Sequence, residues 1–89
     1  MSQLYSQSKK LFYAKIRVLK DDAYFVYFTL EANEGLCYYS TTDESLKSTF
    51  RDIEVKCPIE AKENVKLLFL RLQTELRLDV LEEEIILDS

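Results

Sequence analysis

The sequence predicts an α+β fold with four strands and two helices, in the order strand–helix–strand–strand–helix–strand. Residues 11–19 and 49–57 alternate apolar and polar side chains, as half-buried strands do. Residues 60–77 place apolar side chains three and four positions apart, which is typical of a helix with one buried face. The chain has 89 residues, the size of one small domain. We therefore expect a polar lead-in over residues 1–9 and a single domain over residues 10–89.

The first half of the domain is predicted as a strand followed by a helix. The strand over residues 11–19 carries its apolar side chains on one face and its basic side chains on the other. Asp21 or Asp22 can cap the first turn of a helix, and that helix is expected to run to about Asn33. Gly35 then stands where a left-handed residue commonly ends a helix.

The second half repeats this pattern after an additional strand. Residues 36–41 are rich in side chains that favour strands, and the alternating segment over 49–57 is expected to end at Pro58. The helix over 60–77 and a short last strand from Glu83 to Leu87 complete the chain. This order is the ferredoxin-like βαββαβ sandwich. It predicts an antiparallel four-stranded sheet with both helices on one face and the last strand beside the first.

Charge is concentrated at the two ends of the chain. The first twenty residues hold five basic side chains and no acid, and the net charge of −4 therefore leaves −9 for the rest. A basic first strand beside an acidic last strand explains this distribution, because opposite charges on neighbouring strands attract. The alternative is that the basic first twenty residues bind a polyanion.

Composition argues against most enzyme classes. The chain has one glycine and no histidine, so it can form neither a glycine-rich phosphate loop nor a histidine-based triad or metal site. Cys37 and Cys57 are predicted to lie opposite each other on neighbouring strands. We interpret them as small buried apolar residues, with a redox pair or a shared metal as the alternative. The sequence therefore predicts no catalytic site, no cofactor and no metal.

The expected setting is the cytoplasm. No apolar stretch approaches the length needed to span a bilayer, and the first ten residues lack the apolar core of a secretion signal. Two cysteines are too few for a disulfide framework. These features predict a protein without a membrane segment in a reducing compartment.

One segment resembles a known family. The run from Asp21 to Leu36 reads DDAYFVYFTLEANEGL, and it looks like the first half of a short bacterial family described as a domain of unknown function. In that family an Asp-led helix ends in Leu-Glu, before an acidic residue, a glycine and an apolar strand. The likeness covers residues 15 to about 77 and implies a bacterial protein of this size and fold, with no assigned activity. The architecture is also similar to amino-acid-sensing ACT-type modules, although Leu19-Lys20-Asp21-Asp22 replaces their glycine-bearing ligand loop.

Surplus apolar side chains are the strongest functional signal. Tyr24, Phe25 and Phe28 fall on the side of the first helix opposite its buried stripe, and Leu67 and Leu70 do the same on the second helix. One sheet cannot cover both sides of a helix, so these residues predict an interface. We expect a module that acts by association, either as a homodimer or by docking on a partner protein.

A second surface is the uncovered face of the sheet. Tyr13, Lys15 and Arg17 are predicted there on the first strand, with Phe50 and Lys56 on the third. Sheets that bind RNA use aromatic and basic side chains of this kind. The acidic net charge, however, argues against binding of nucleic acid. A small-ligand sensor of the ACT-like kind is the other alternative to association.

Overall fold

The computed structural model describes residues 9–32 and 37–88, which form one four-stranded sheet and two helices. The strands are β1 (Lys9–Leu19), β2 (Tyr38–Thr41), β3 (Phe50–Pro58) and β4 (Leu78–Asp88), and the helices are α1 (Ala23–Ala32) and α2 (Lys62–Glu75). Short 3-10 turns cover Lys20–Asp22, Glu44–Lys47 and Ile59–Ala61. The predicted helix end at Asn33 and the glycine cap at Gly35 lie outside the described residues.

The sheet has the predicted ferredoxin-like topology. Its strand order is β2-β3-β1-β4, and every neighbouring pair is antiparallel. Lys9 at the start of β1 pairs with Asp88 at the end of β4. The basic first strand therefore lies beside the acidic last strand, as the charge distribution predicted.

One core lies between the sheet and the two helices. It forms because the apolar faces of β1 and β3 meet the apolar stripes of α1 and α2. Phe69 joins the α2 stripe, although the spacing in the sequence did not single it out. The buried residues are Phe12, Ala14, Ile16, Val18, Ala23, Val26, Leu30, Ile53, Val55, Cys57, Ala61, Val65, Leu68, Phe69, Leu72 and Leu78.

The last strand is much longer than the sequence suggested. The expected strand covers Glu83 to Leu87, whereas β4 runs over Leu78–Asp88. The register shifts opposite Lys15 and Ile16, where Glu82 and Val80 are the partners and Leu81 is the extra residue. This β-bulge interrupts the two-residue alternation, so the first half of β4 does not read as a strand in the sequence.

Both helices begin after a 3-10 turn. Asp22 directly precedes α1, but it does so as the last residue of the turn Lys20–Asp22. The turn Ile59–Ala61 follows Pro58 and delays the start of α2 to Lys62. No described helix is long and apolar enough to cross a membrane.

Candidate functional site

Five large apolar side chains are exposed on the outer side of the helix layer. The exposed fraction is 84% for Tyr24, 47% for Phe25, 70% for Phe28, 57% for Leu67 and 58% for Leu70. We call these five residues the helix-face patch. All five lie where the sequence predicted an interface, and three of them are aromatic, the residue type enriched in interface cores.

The exposure of the patch follows from the geometry of α1. Ala23, Val26 and Leu30 are buried against the sheet. A helix turns by about 100° per residue, so Tyr24 and Phe28, four positions apart, share a face directed away from this stripe. The sheet is on the other side of the helix and cannot cover them.

A surface groove of about 300 Å³ separates α1 from α2 near Phe25. Phe25 and Thr29 line it from α1, and Leu68 and Leu72 line it from α2, with the remaining lining contributed by Arg71, Thr74 and Glu75. Leu68 adjoins Leu67 in the sequence. Of the five patch residues, Phe25 is the one that lines this groove, and Leu67 and Leu70 lie elsewhere on the exposed side of α2.

Aromatic contacts hold one side of the patch in place. The ring of Tyr24 meets Tyr27 edge to face at 6.5 Å between centroids. Tyr27 in turn stacks on Tyr39 of β2 at 5.3 Å, and its hydroxyl hydrogen-bonds the hydroxyl of Thr41. Tyr24 therefore contacts a ring that itself packs against the sheet.

The uncovered face of the sheet is built from paired charges. Arg17 of β1 donates two hydrogen bonds to Asp52 of β3, from Nε to Oδ1 at 2.7 Å and from Nη2 to Oδ2 at 3.0 Å. Its guanidinium also lies 4.0 Å from the centre of the Phe50 ring. The hydrogen bond to Asp52 raises the pKa of Arg17. Arg17 and Phe50, both predicted surface residues, therefore contact each other.

The other residues predicted on this face are engaged to different degrees. Tyr13 is only 9% exposed, and its hydroxyl donates to Glu54 Oε2 at 2.9 Å. Burial, followed by this hydrogen bond and nearby carboxylates, raises the pKa of Tyr13 well above its usual range. Lys15 Nζ lies 3.6 Å from Glu82 Oε2, and Lys56 is exposed. Binding of nucleic acid requires cations that are free to contact its phosphates. On this face Lys15 and Arg17 are already paired with carboxylates.

The two cysteines pack as apolar residues. Tyr38 pairs with Lys56, so continuation of that register places Cys37 opposite Cys57, as the sequence predicted. Burial raises the pKa of Cys57 to about 11, and the neighbouring Cys37 adds to this shift. Burial also raises the pKa of Cys37. Because the thiolate is the reactive form, these shifts disfavour nucleophilic chemistry and metal binding.

The described residues contain no cluster of three or more side chains suited to hold a metal ion. On the sheet face, Lys15 pairs with Glu82 and Arg17 pairs with Asp52. Two surfaces expose several large apolar side chains: the helix-face patch and the outer edge of β4.

The sequence predicted only part of the β4 edge, the short strand from Glu83 to Leu87, and did not single out its exposed apolar side chains. Val80, Leu81, Ile85 and Leu87 of this strand are all at least partly exposed, with Leu87 at 66%. The only signal was the apolar run near the chain end, which predicted a short strand. The bulge at Leu81 breaks the alternation of side chains, so the rest of the edge was not predicted as a strand.

Comparison with known proteins identifies no relative: no family model, no curated protein and no solved structure matches the chain. The fold and the exposed surfaces define the class instead. The chain is a small α+β sandwich of ferredoxin-like topology, with large apolar side chains exposed on its helix layer and charged side chains on its sheet face.

Proposed function

We propose that this protein acts by association and that the helix-face patch is the interface of a homodimer. The observation that carries the proposal is the exposure of Tyr24, Phe25, Phe28, Leu67 and Leu70 on one layer of the fold. Burial of apolar surface is the main favourable contribution to protein association. Contiguous apolar patches on small domains commonly mark interaction sites.

The charges around the patch favour a second copy as the partner. A two-fold interface brings the same surface together twice, so it tolerates little net charge of one sign. The five patch residues are uncharged, and the adjoining groove carries Arg71 and Glu75, whose charges are opposite. Self-association therefore meets no strong electrostatic opposition on this face.

Light scattering coupled to size-exclusion chromatography tests the proposal across micromolar concentrations. We expect the average mass to rise above that of one chain as concentration increases. Phe28→Ser should return the mass towards the monomer. Tyr38→Ser is the matched control, because Tyr38 is 78% exposed but lies on β2.

A monomer at every concentration would contradict the proposed dimer. An equal effect of Phe28→Ser and Tyr38→Ser would instead show that exposed aromatic residues promote association wherever they lie. If the unmodified chain is monomeric but amino acids or nucleotides raise its melting temperature, the ligand-sensing alternative replaces the dimer.

A further inference from the structure

β4 is an edge strand with an open outer side. The strand order ends at β4, which pairs only with β1 within the described sheet. The backbone N–H and C=O groups on its outer side therefore bond to no other described strand. Such an edge can accept an additional strand through backbone hydrogen bonds.

The second half of this edge is regular and accessible. After the bulge at Leu81, the residues from Glu82 to Leu87 pair with β1 without interruption. This stretch contains neither proline nor lysine, and its three glutamates oppose an identical edge but not a strand of opposite charge. Ile85 and Leu87 lie on the helix side of the sheet and are 52% and 66% exposed. An added strand would find apolar contacts there.

Charge on the uncovered sheet face changes sign from one strand to the next. β3 carries two carboxylates and, at its end, the one cation Lys56; β1 is basic, and β4 is acidic again. Within this pattern Lys15 is paired with both Glu54 of β3 and Glu82 of β4 in the strand register. Continuing the alternation, a strand added outside β4 would be basic. The residues that set the pattern are Asp52 and Glu54 of β3, Lys15 and Arg17 of β1, and Asp79, Glu82 and Glu84 of β4.

The carboxylates of β4 differ in how far they are already compensated. Glu82 lies 3.6 Å from Lys15, and Glu83 lies 3.8 Å from Lys66. Glu84 is exposed and makes no ion pair with the part of the chain that the structure describes. Glu84 is thus the carboxylate best placed to recognise a cation on an added strand.

We infer that the outer edge of β4, from Glu82 to Leu87, binds an extended segment of another protein in which basic and apolar side chains alternate. The basic side chains face Glu82 and Glu84, and the apolar ones face Ile85 and Leu87. β1 has this pattern and already pairs with β4 from the other side. A second copy of β4 does not fit, because it would add acidic side chains beside acidic ones.

NMR titration with a blocked peptide of alternating lysine and valine tests this inference. We expect the largest amide shifts between Glu82 and Leu87. The same peptide with glutamate in place of lysine should bind much more weakly. Glu84→Lys should weaken binding of the lysine peptide about fivefold, and Glu84→Gln by a smaller factor. Glu60→Lys is the control, since it makes the same charge change at an exposed site outside the strands.

Equal binding of the lysine and glutamate peptides would overturn the inference. The same holds if the largest shifts map to the helices or to β2, or if Glu84→Lys and Glu60→Lys behave alike. Concentration-dependent shifts of the β4 amides without peptide would show that a second copy occupies the edge instead. Phe28→Ser should bind the peptide normally, so this result is separate from the fate of the proposed dimer.

Discussion

The outer face of the sheet and the outer face of the helix layer differ in which kind of side chain they leave without a partner. On the sheet, charged side chains meet each other, with Arg17 2.7 Å from Asp52 and Lys15 3.6 Å from Glu82. On the helices, aromatic and aliphatic side chains face outward, and Phe28 remains 70% exposed. The centre of the sheet face thus pairs its charges within one chain. The helix face can bury its apolar groups only by contacting something else.

This difference explains why we place association on the helices. Burial of apolar surface contributes roughly 25 cal/mol for each Å² removed from water. Burial of an existing ion pair carries a desolvation cost that can exceed its Coulombic gain. The helix-face patch therefore gains more from a partner than the paired charges around Arg17 do.

The largest expected effect is the difference in the free energy of unfolding between substitutions on the two sides of α1. Leu30→Ala should destabilise the monomer by about 2–5 kcal/mol, because Leu30 is only 2% exposed and its loss leaves a cavity. Phe28→Ala should leave the free energy of unfolding nearly unchanged at concentrations where the chain is monomeric. Urea unfolding followed by circular dichroism measures both. Similar losses for the two variants would show that Phe28 belongs to the core.

A smaller effect is expected when the central charge pair of the sheet is broken. Asp52→Asn removes the carboxylate that accepts two hydrogen bonds from Arg17. We expect the melting temperature to fall by several degrees, since charge-assisted bidentate hydrogen bonds are among the stronger polar contacts. Differential scanning calorimetry gives the value. An unchanged melting temperature would mean that the sheet face does not depend on this pair.

Alkaline pH should weaken the tyrosine–carboxylate contacts. The hydrogen bond to Glu31, followed by burial, raises the pKa of Tyr39 from 10.0 to about 12. A raised pKa in the folded state stabilises the protein below pH 10, and this contribution is lost as pH rises through about 12. The phenolate absorbance of Tyr39 should therefore appear late in an alkaline titration.

Glu31→Gln provides the comparison for this titration. Removal of the carboxylate should move the late phenolate signal to lower pH. Tyr39→Phe should remove the Tyr39 part of the late signal and leave that of Tyr13, whose pKa is also raised. A titration that is identical in the unmodified protein and in Glu31→Gln would exclude the contact as its cause.

The smallest effect is expected at the exposed pair of the same sheet face. Glu82→Gln should change the free energy of unfolding by less than about 0.5 kcal/mol, because Glu82 is 51% exposed and its pair with Lys15 is long. Chemical unfolding at low and moderate salt measures the change. A loss as large as that of Asp52→Asn would show that the exposed and half-buried pairs contribute equally.

The candidate surfaces differed in how far the sequence predicted them. Tyr24 and Phe28 could be placed on an outer face because helical spacing determines which side chains share a side. The β4 edge could not be delimited, since the bulge at Leu81 breaks the alternation on which strand prediction depends. The bidentate contact between Arg17 and Asp52 was also missed, because it depends on the register of two strands far apart in the sequence.

The order of the elements, the apolar stripes of α1 and α2 and the placement of the last strand beside the first were determined by the sequence itself. Periodicity and charge are local properties, so they can be read directly from the sequence. Tertiary structure alone decided the full length of β4, the partners of Arg17 and Tyr13, and the stacking of Tyr27 on Tyr39. These features depend on register between distant segments, where a shift of one residue moves every side chain to the opposite face.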